Sequence, residues 1–326
     1  MASVPLTHPA PVAVYSAPLR TRFRGIDVRD GVLLRGDAGW GEFSPFWDYD
    51  DAESGAWLRA AREAADEGWP PAVRDVVPVN VTVPAVGPEH AARIVRASGC
   101  STAKVKVAEA GQVLADEQER LEAVRDALGP GGRIRIDANG AWDLETALER
   151  LALLDRAAGG LEYAEQPCPR VEDLAALRRR TDIPIAADES IRRARDPLAV
   201  RAAEAADVVV LKVQPLGGVR ACLDLAEQVG LPVVVSSALE SSVGIAAGLA
   251  LAAALPELPY ACGLATVQLL TRDTVDEPLL PVDGAIPVRR PAPTPASLAV
   301  SAADDATAQR WAARLTAVSA YLEGAP

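Results

Sequence analysis

The chain has 326 residues, 49% hydrophobic and 24% charged, the profile of an ordinary globular protein with room for a barrel of about 200–250 residues and a smaller unit. Its 33 basic and 45 acidic residues leave a net charge of −12, which argues against nucleic acid or any partner bound mainly through phosphates. The longest charge-free apolar run, residues 243–255, is shorter than the roughly 18–20 residues that span a bilayer, so it reads as a buried helix and no membrane partner is expected.

Residues 1–20 carry two prolines and His8 in their first half, with no basic start followed by an apolar block. They do not read as a signal peptide, and the expected location is the cytoplasm. Strand-like runs follow at 12–16 and 32–35, with turns expected at Arg29-Asp-Gly31 and Gly36-Asp-Ala-Gly39 and a helix over 51–67, an α+β unit spanning 1–78. From residue 79 short β-branched runs alternate with Ala/Leu/Arg/Glu-rich stretches of helical period. Strands are expected at 79–84, 102–107, 133–137, 161–165, 183–188, 207–212, 232–236 and 259–263. Helices are expected near 88–98, 114–128, 143–157, 170–180, 195–205, 217–229 and 241–254. Eight strands and seven intervening helices over 79–270 describe an α/β protein with a TIM-like (β/α)7β barrel. An open doubly wound sheet fits less well, because no GxGxxG follows the first strand. The tail, 271–326, is proline-rich and ends in an amphipathic helix near 304–322. It is expected to return to the N-terminal unit and complete an α+β capping domain.

Scarce residues narrow the chemistry. Cys100, Cys168, Cys222 and Cys262 are 68, 54 and 40 residues apart without a CxxC pair, so all four read as reduced core residues. With only His8 and His90 present, a Ser-His-Asp triad or histidine-rich zinc site has almost no material. The only lysines are Lys104, Lys106 and Lys212 among 33 basic residues. Lysine can give up its proton near other cations and arginine cannot, so these three mark candidate positions for acid–base or Schiff-base chemistry.

Lys106, Asp137, Glu165, Asp188 and Lys212 stand at the ends of consecutive expected strands, 31, 28, 23 and 24 residues apart. Each interval is about one βα unit, which places all five at the mouth where this fold carries its active site. Three converging carboxylates repel one another unless a cation joins them, and all-oxygen ligation points to a hard divalent ion, Mg²⁺ before Mn²⁺ or Ca²⁺. Such an ion can stabilise the enediolate formed when a base removes the proton alpha to a carboxylate. A lysine near a second cation is a fitting base, and Lys104 shares a strand face with Lys106. Asn139, Gln166 and Glu189, each one or two residues from a proposed ligand, are suited to hydrogen-bond the ligands from behind.

The segments Ala103-Lys-Val-Lys106, Ile136-Asp-Ala-Asn139, Glu162-Tyr-Ala-Glu-Gln-Pro167, Ala187-Asp-Glu-Ser190 and Leu211-Lys212 resemble the enolase superfamily, in its muconate-lactonising subgroup. Phe23-Arg-Gly-Ile26, Gly39-Trp-Gly-Glu-Phe43, Pro78-Val-Asn-Val81 and Ser236-Ser-Ala-Leu-Glu-Ser-Ser242 extend the resemblance to the actinobacterial o-succinylbenzoate synthase family, over nearly the whole chain. The resemblance implies Mg²⁺, or Mn²⁺ in its place, on Asp137, Glu165 and Asp188. It implies Lys106 as the base that then helps hydroxide leave as water from the same face, and Lys212 as the charge beside the enediolate. It further implies a small dicarboxylate substrate of menaquinone biosynthesis. Ser236, Ser237 and Gly263 would lie near its succinyl arm, under an early loop containing Arg20, Arg22 and Arg24.

Other activities stay open at this stage. The same site serves N-succinylamino acid racemases, dipeptide epimerases and muconate-type cycloisomerases; Lys212 could form a Schiff base; and a binding barrel without catalysis would use none of these roles. The assembly is expected to be a monomer or small homo-oligomer.

Overall fold

A computed structural model describes residues 10–194 and 196–324; His8 lies outside them. The N-terminal region is an antiparallel sheet of β1 (Ala10–Phe23), β2 (Ile26–Gly36) and β3 (Gly39–Phe43). The turn expected at Arg29-Asp-Gly31 is absent, because those residues pair with Ala17, Ser16 and Tyr15 inside the β1–β2 ladder. Gly31 is there for space: a Cβ would stand 2.5 Å from Ser44 Cβ and 2.9 Å from the Tyr15 ring. The chain reverses at Arg24-Gly25 instead, with φ of 51° and 74°, the left-handed pair a tight hairpin needs. The turn at 37–38 is present. The helix Asp51–Arg62 begins under an Asp50 side chain that accepts from the Glu53 amide, and continues into one π-helical segment, Glu63–Glu67.

β4 (Val76–Pro78) leads into a curled sheet of seven parallel strands. These are β5 (Val81–Val83), β6 (Thr102–Lys106), β7 (Arg133–Asp137), β8 (Tyr163–Glu165), β9 (Ile185–Ala187), β10 (Val208–Leu211) and β11 (Val233–Val235), in spatial order as in sequence. Helices Pro88–Ser98, Leu114–Leu128, Leu144–Ala158, Val171–Arg178, Val219–Val229 and Ser242–Ala254 fall where expected. The helix expected at 195–205 shrinks to one turn, Ala199–Ala202: Pro197 disfavours helical backbone at the residue before it, and Glu204, at φ 49°, breaks off the other end. The 259–263 run forms no strand of its own. Even so, Cys262 exchanges backbone hydrogen bonds with Pro78 and Asn80 (2.7 and 2.9 Å), and Gly263 with Val235 and Ser237 (2.8 and 3.0 Å).

Alternation along the strands divides the core. Ala103, Val105, Ile134, Ile136, Val209 and Leu211 join the main apolar cluster beneath the helices. Tyr163, Ala186, Val208, Val210 and Val234 form a second cluster on the other face, with Tyr260 against it. Strands that read apolar on one face and partly charged on the other are thus packed on both faces. The run at 243–255 is a buried helix, as its composition requires. No helix among the described residues is long and apolar enough to cross a membrane, and all four cysteines are buried and unpaired.

β12 (Ala285–Pro287) pairs antiparallel with β4. A short helix that the proline content hid, Pro295–Ser301, starts on a Thr294–Ser297 capping box. The last helix, Asp305–Gly324, packs against aromatic residues of the N-terminal region. Its Trp311 ring centroid lies 4.5 Å from Trp47 and 5.8 Å from Phe43.

Candidate active site

Alternation along β6 to β8 brings Lys106, Asp137 and Glu165 into direct register: Lys106 opposes Asp137, and Asp137 opposes Glu165. Asp188 follows β9 and Lys212 follows β10, so both sit at the C-terminal ends of their strands. Lys106 Nζ donates to Asp137 Oδ2 and Asn139 Oδ1, each at 2.6 Å. Lys104 Nζ donates to Glu165 Oε1 at 2.8 Å and stands 3.2 Å from Asp137 Oδ2. Lys212 Nζ donates to Asp188 Oδ2 at 2.6 Å, and Arg192 Nε to Asp188 Oδ1 at 3.0 Å.

These pairs set the protonation states. Burial would lift the Asp137 carboxyl, but Lys106 and Lys104 outweigh it and hold the group far below the usual carboxylate range. Asp188 is held down against burial by Arg192 and Lys212. Burial would also strip Lys104 of its proton, yet Glu165 and Asp137 keep it well above its ordinary value, so it is a fixed ammonium. Glu165 goes the other way: burial, then the charge of Asp137, pushes it up to about 7 against the pull of Lys104.

That imbalance tests the fit of a cation. Glu165 Oε2 is buried with no hydrogen-bond partner, an arrangement that costs free energy unless positive charge meets it. Among the described residues no three His, Cys, Asp or Glu side chains form a ready metal cage, and each of the three carboxylates is paired with a lysine or arginine. The donor set of carboxylate oxygens, one of them orphaned, fits a hard divalent ion at Asp137, Glu165 and Asp188.

The three supporting residues also come together. Asn139 donates from Nδ2 to Glu189 Oε1 at 3.1 Å, and its amide donates to Asp137 Oδ1 at 3.1 Å. Gln166 Oε1 accepts the Asp188 and Ser190 amides at 2.9 and 3.1 Å, while its Nε2 donates to Ser190 Oγ at 2.7 Å. Asn139 and Gln166 have φ of 49° and 41°, a left-handed backbone that non-glycine residues adopt where surrounding contacts hold them.

A cavity of about 510 Å³ opens above these groups, and Ser236, Ser237, Gly263, Arg22 and Arg24 all line it. A Cβ on Gly263 would stand 2.5 Å from Ser236 Oγ, so a side chain there would force Ser236 to move. Arg20 is the exception: it lines a neighbouring cavity with His90, and only Thr21 and Thr82 border both. The sequence reading did not identify Phe23, Tyr49, Trp57, Arg120 or Arg192. Lys106 Nζ lies 5.6 Å from the Phe23 ring centroid, Tyr49 and Trp57 line the cavity, and Arg120 donates to the Lys106 carbonyl at 2.9 Å. Arg192 carried a readable signal, a cation four residues after Asp188 and hence one turn away.

Family models match the chain as enolase N-terminal domain-like over residues 14–65 and enolase C-terminal domain-like over residues 88–293. The chain is 66% identical over 309 residues to an o-succinylbenzoate synthase of Thermobifida fusca, covering 95% of this chain and 96% of that one. It is 54% identical to an o-succinylbenzoate synthase of Mycolicibacterium smegmatis, covering 95% of each. Among solved structures, the L-Ala-D/L-Glu epimerase of Bacillus subtilis is similar in fold, with a TM-score of 0.74, 23% identity and coverage of 86% of this chain and 95% of that one. Muconate lactonizing enzyme of Pseudomonas fluorescens gives 0.75 at 22% identity, covering 90% and 99%. From the two matched models and these near-full-length relatives, the chain belongs to the enolase superfamily and, within it, to the o-succinylbenzoate synthase family.

Proposed function

We propose that the chain catalyses the syn dehydration of 2-succinyl-6-hydroxy-2,4-cyclohexadiene-1-carboxylate to 2-succinylbenzoate, a step of menaquinone biosynthesis. The observation that carries this is the identity of 66% over 95% of the chain to an enzyme of that name, and the lysines and carboxylates at the sheet's C-terminal ends supply the needed groups. Asp137, Glu165 and Asp188 would hold the metal, Mg²⁺ with Mn²⁺ as substitute. Bound there, it supplies positive charge to the substrate carboxylate as negative charge builds on it.

Lys106 as the free amine takes the proton alpha to that carboxylate, and the C–H electron pair moves into the enediolate. The resulting ammonium then gives that proton to the ring hydroxyl, which departs as water while the ring becomes aromatic and Lys106 is a free amine again. One group acting twice from one side explains the syn course. Lys212, on the Asp188 side of the site, sets its charge against the enediolate. Lys104, clamped between Glu165 and Asp137, keeps positive charge beneath the site without exchanging a proton. Asn139, Gln166 and Glu189 hold these groups in place, and Ser236, Ser237 and Gly263 receive the succinyl arm.

We further infer a (β/α)7β barrel, supported by the backbone bonds of Cys262 to Pro78 and Asn80, just before β5, and of Gly263 to Val235 in β11. Residues 79–270 would form it, with 1–78 and 271–326 composing the cap. Four buried, unpaired cysteines support a reducing cytoplasmic setting. The ultraviolet assay of product formation tests the function: turnover falls to background with excess chelator and at least about a hundredfold in Lys106→Ala. No turnover in the metal-loaded wild type would discard the substrate. Lysines on two sides of the carboxylate cluster also suit two-base racemisation, and deuterium appearing at the alpha carbon of N-succinylamino acids in heavy water would reveal it.

A further inference from the structure

Arg192 bonds three groups from one guanidinium. Nε donates to Asp188 Oδ1 at 3.0 Å, Nη2 to Glu189 Oε1 at 2.6 Å and Nη1 to the Tyr49 hydroxyl at 2.9 Å. Its side chain is only 8% exposed. Asp188 and Glu189 belong to the catalytic mouth, whereas Tyr49 belongs to the N-terminal cap. Tyr49 is itself fixed, packed edge-on against Phe46 and Trp57 at 5.8 and 6.1 Å and receiving Arg24 Nη2 at 3.3 Å.

The fork does two things at once. With Lys212 on Oδ2 and Arg192 on Oδ1, the fully buried Asp188 carboxylate keeps one orientation, yet each oxygen retains a further lone pair for a cation. Glu189 offsets the guanidinium charge, so Arg192 can stand beside a cation without presenting uncompensated positive charge. A lysine could not make these three bonds in one plane. Resting on the functional reading above, we propose that Arg192 is a positioning residue that orients Asp188 toward the divalent cation, and that its anchor on Tyr49 makes seating of the cap part of the cation's affinity. Linkage then requires the reciprocal effect: a bound cation steadies the cap.

The test is Mn²⁺ binding to the full chain without substrate, followed by electron paramagnetic resonance, with Asp188→Asn identifying the site. Wild type binds one ion, Arg192→Met binds it about tenfold or more weakly, and Tyr49→Phe about threefold more weakly with an unchanged melting temperature in the absence of metal. Variants that bind Mn²⁺ as tightly as wild type, or more tightly, overturn the inference and leave the functional reading standing. A wild type that binds no Mn²⁺ overturns both. If Arg192→Met does not fold, Tyr49→Phe, which loses one hydroxyl from a packed ring, decides alone.

Discussion

Glu42 engages both carboxylate oxygens across the seam between the cap and the parallel sheet. Oε1 accepts from the Tyr15 hydroxyl and Ser44 Oγ at 2.7 and 2.8 Å; Oε2 accepts from Ser241 Oγ at 2.5 Å and the Gly244 amide at 3.0 Å. The last two lie at the start of the helix Ser242–Ala254, where unpaired amides and the helix dipole favour a negative charge. Glu42→Ala would strand several buried donors together, so it is expected to lower stability by about 3–5 kcal/mol in urea unfolding. A loss below about 1 kcal/mol would mean the seam is held elsewhere. Glu240, close by, has the opposite electrostatics: burial, then the charge of Glu42, pushes it up to about 7. A carboxyl that titrates higher in the fold than in the unfolded chain destabilises the fold when ionised. The penalty is absent below about pH 4.5, grows as pH rises and is complete above about 7. Glu240→Gln should therefore stabilise the protein by a few kcal/mol, of order 3, at pH 8, and bring no gain near pH 4.5. Melting curves at the two pH values check this, and a gain independent of pH would refute it.

The helix Val219–Val229 has no side-chain cap of its own, since its N-cap is Gly218. Glu63, the first residue of the π-helical segment after Asp51–Arg62, supplies one from 156 residues away, accepting the Val219 and Arg220 amides at 2.6 and 3.1 Å. Gly218 makes room for it: φ is 134°, and a Cβ would stand 2.4 Å from Glu63 Oε2. Gly218→Ala is thus expected to cost about 1–3 kcal/mol from strain and the displaced carboxylate. Thermal unfolding checks this, and a neutral variant would show that Glu63 can move without cost. Such partnerships define what the sequence could and could not reveal. Strands β6 and β7 were legible because period-two patterns such as Lys104-Val-Lys106 and Arg133-Ile-Arg-Ile-Asp137 put charge on one face only, and β10 because Val208–Leu211 is a short apolar, β-branched run. The five residues proposed for catalysis and metal binding stood out because each closes one βα interval, and the structure brings them to the C-terminal ends of neighbouring strands. Arg29-Asp-Gly31 misled because a glycine needed for close packing looks like one needed for a turn. Glu42 and Glu63 stayed hidden because a cap supplied from about 150–200 residues away leaves no local pattern.

At the scale of the molecule there are two main apolar cores with different histories in the chain. The core under the parallel sheet draws almost wholly on residues 77–286. The cap's core joins Val32, Leu34, Phe43, Phe46 and Trp57 from the start of the chain to Trp311 and Val318 from its end. Trp311 is fully buried there, and Arg314 reinforces it by donating to the Phe46 and Tyr49 carbonyls at 2.9 and 2.8 Å. The tail helix therefore packs with the N-terminal region and contributes little to the sheet's core. Burying one tryptophan-sized side chain is worth about 3–5 kcal/mol by truncation, a large share of the stability of a small unit. Ending the chain after residue 303 should loosen the cap and spare the sheet. Limited proteolysis with mass spectrometry is expected to show cuts gathering within residues 10–70 while 80–260 stays protected. Turnover should fall as well, because Tyr49 and Phe23 line the cavity above the proposed catalytic groups from the cap side. Cuts spread evenly along the truncated chain would instead mean that the two cores melt as one unit, with the carboxylates of Glu42 and Glu63 binding cap and sheet more tightly than their separate packing suggests.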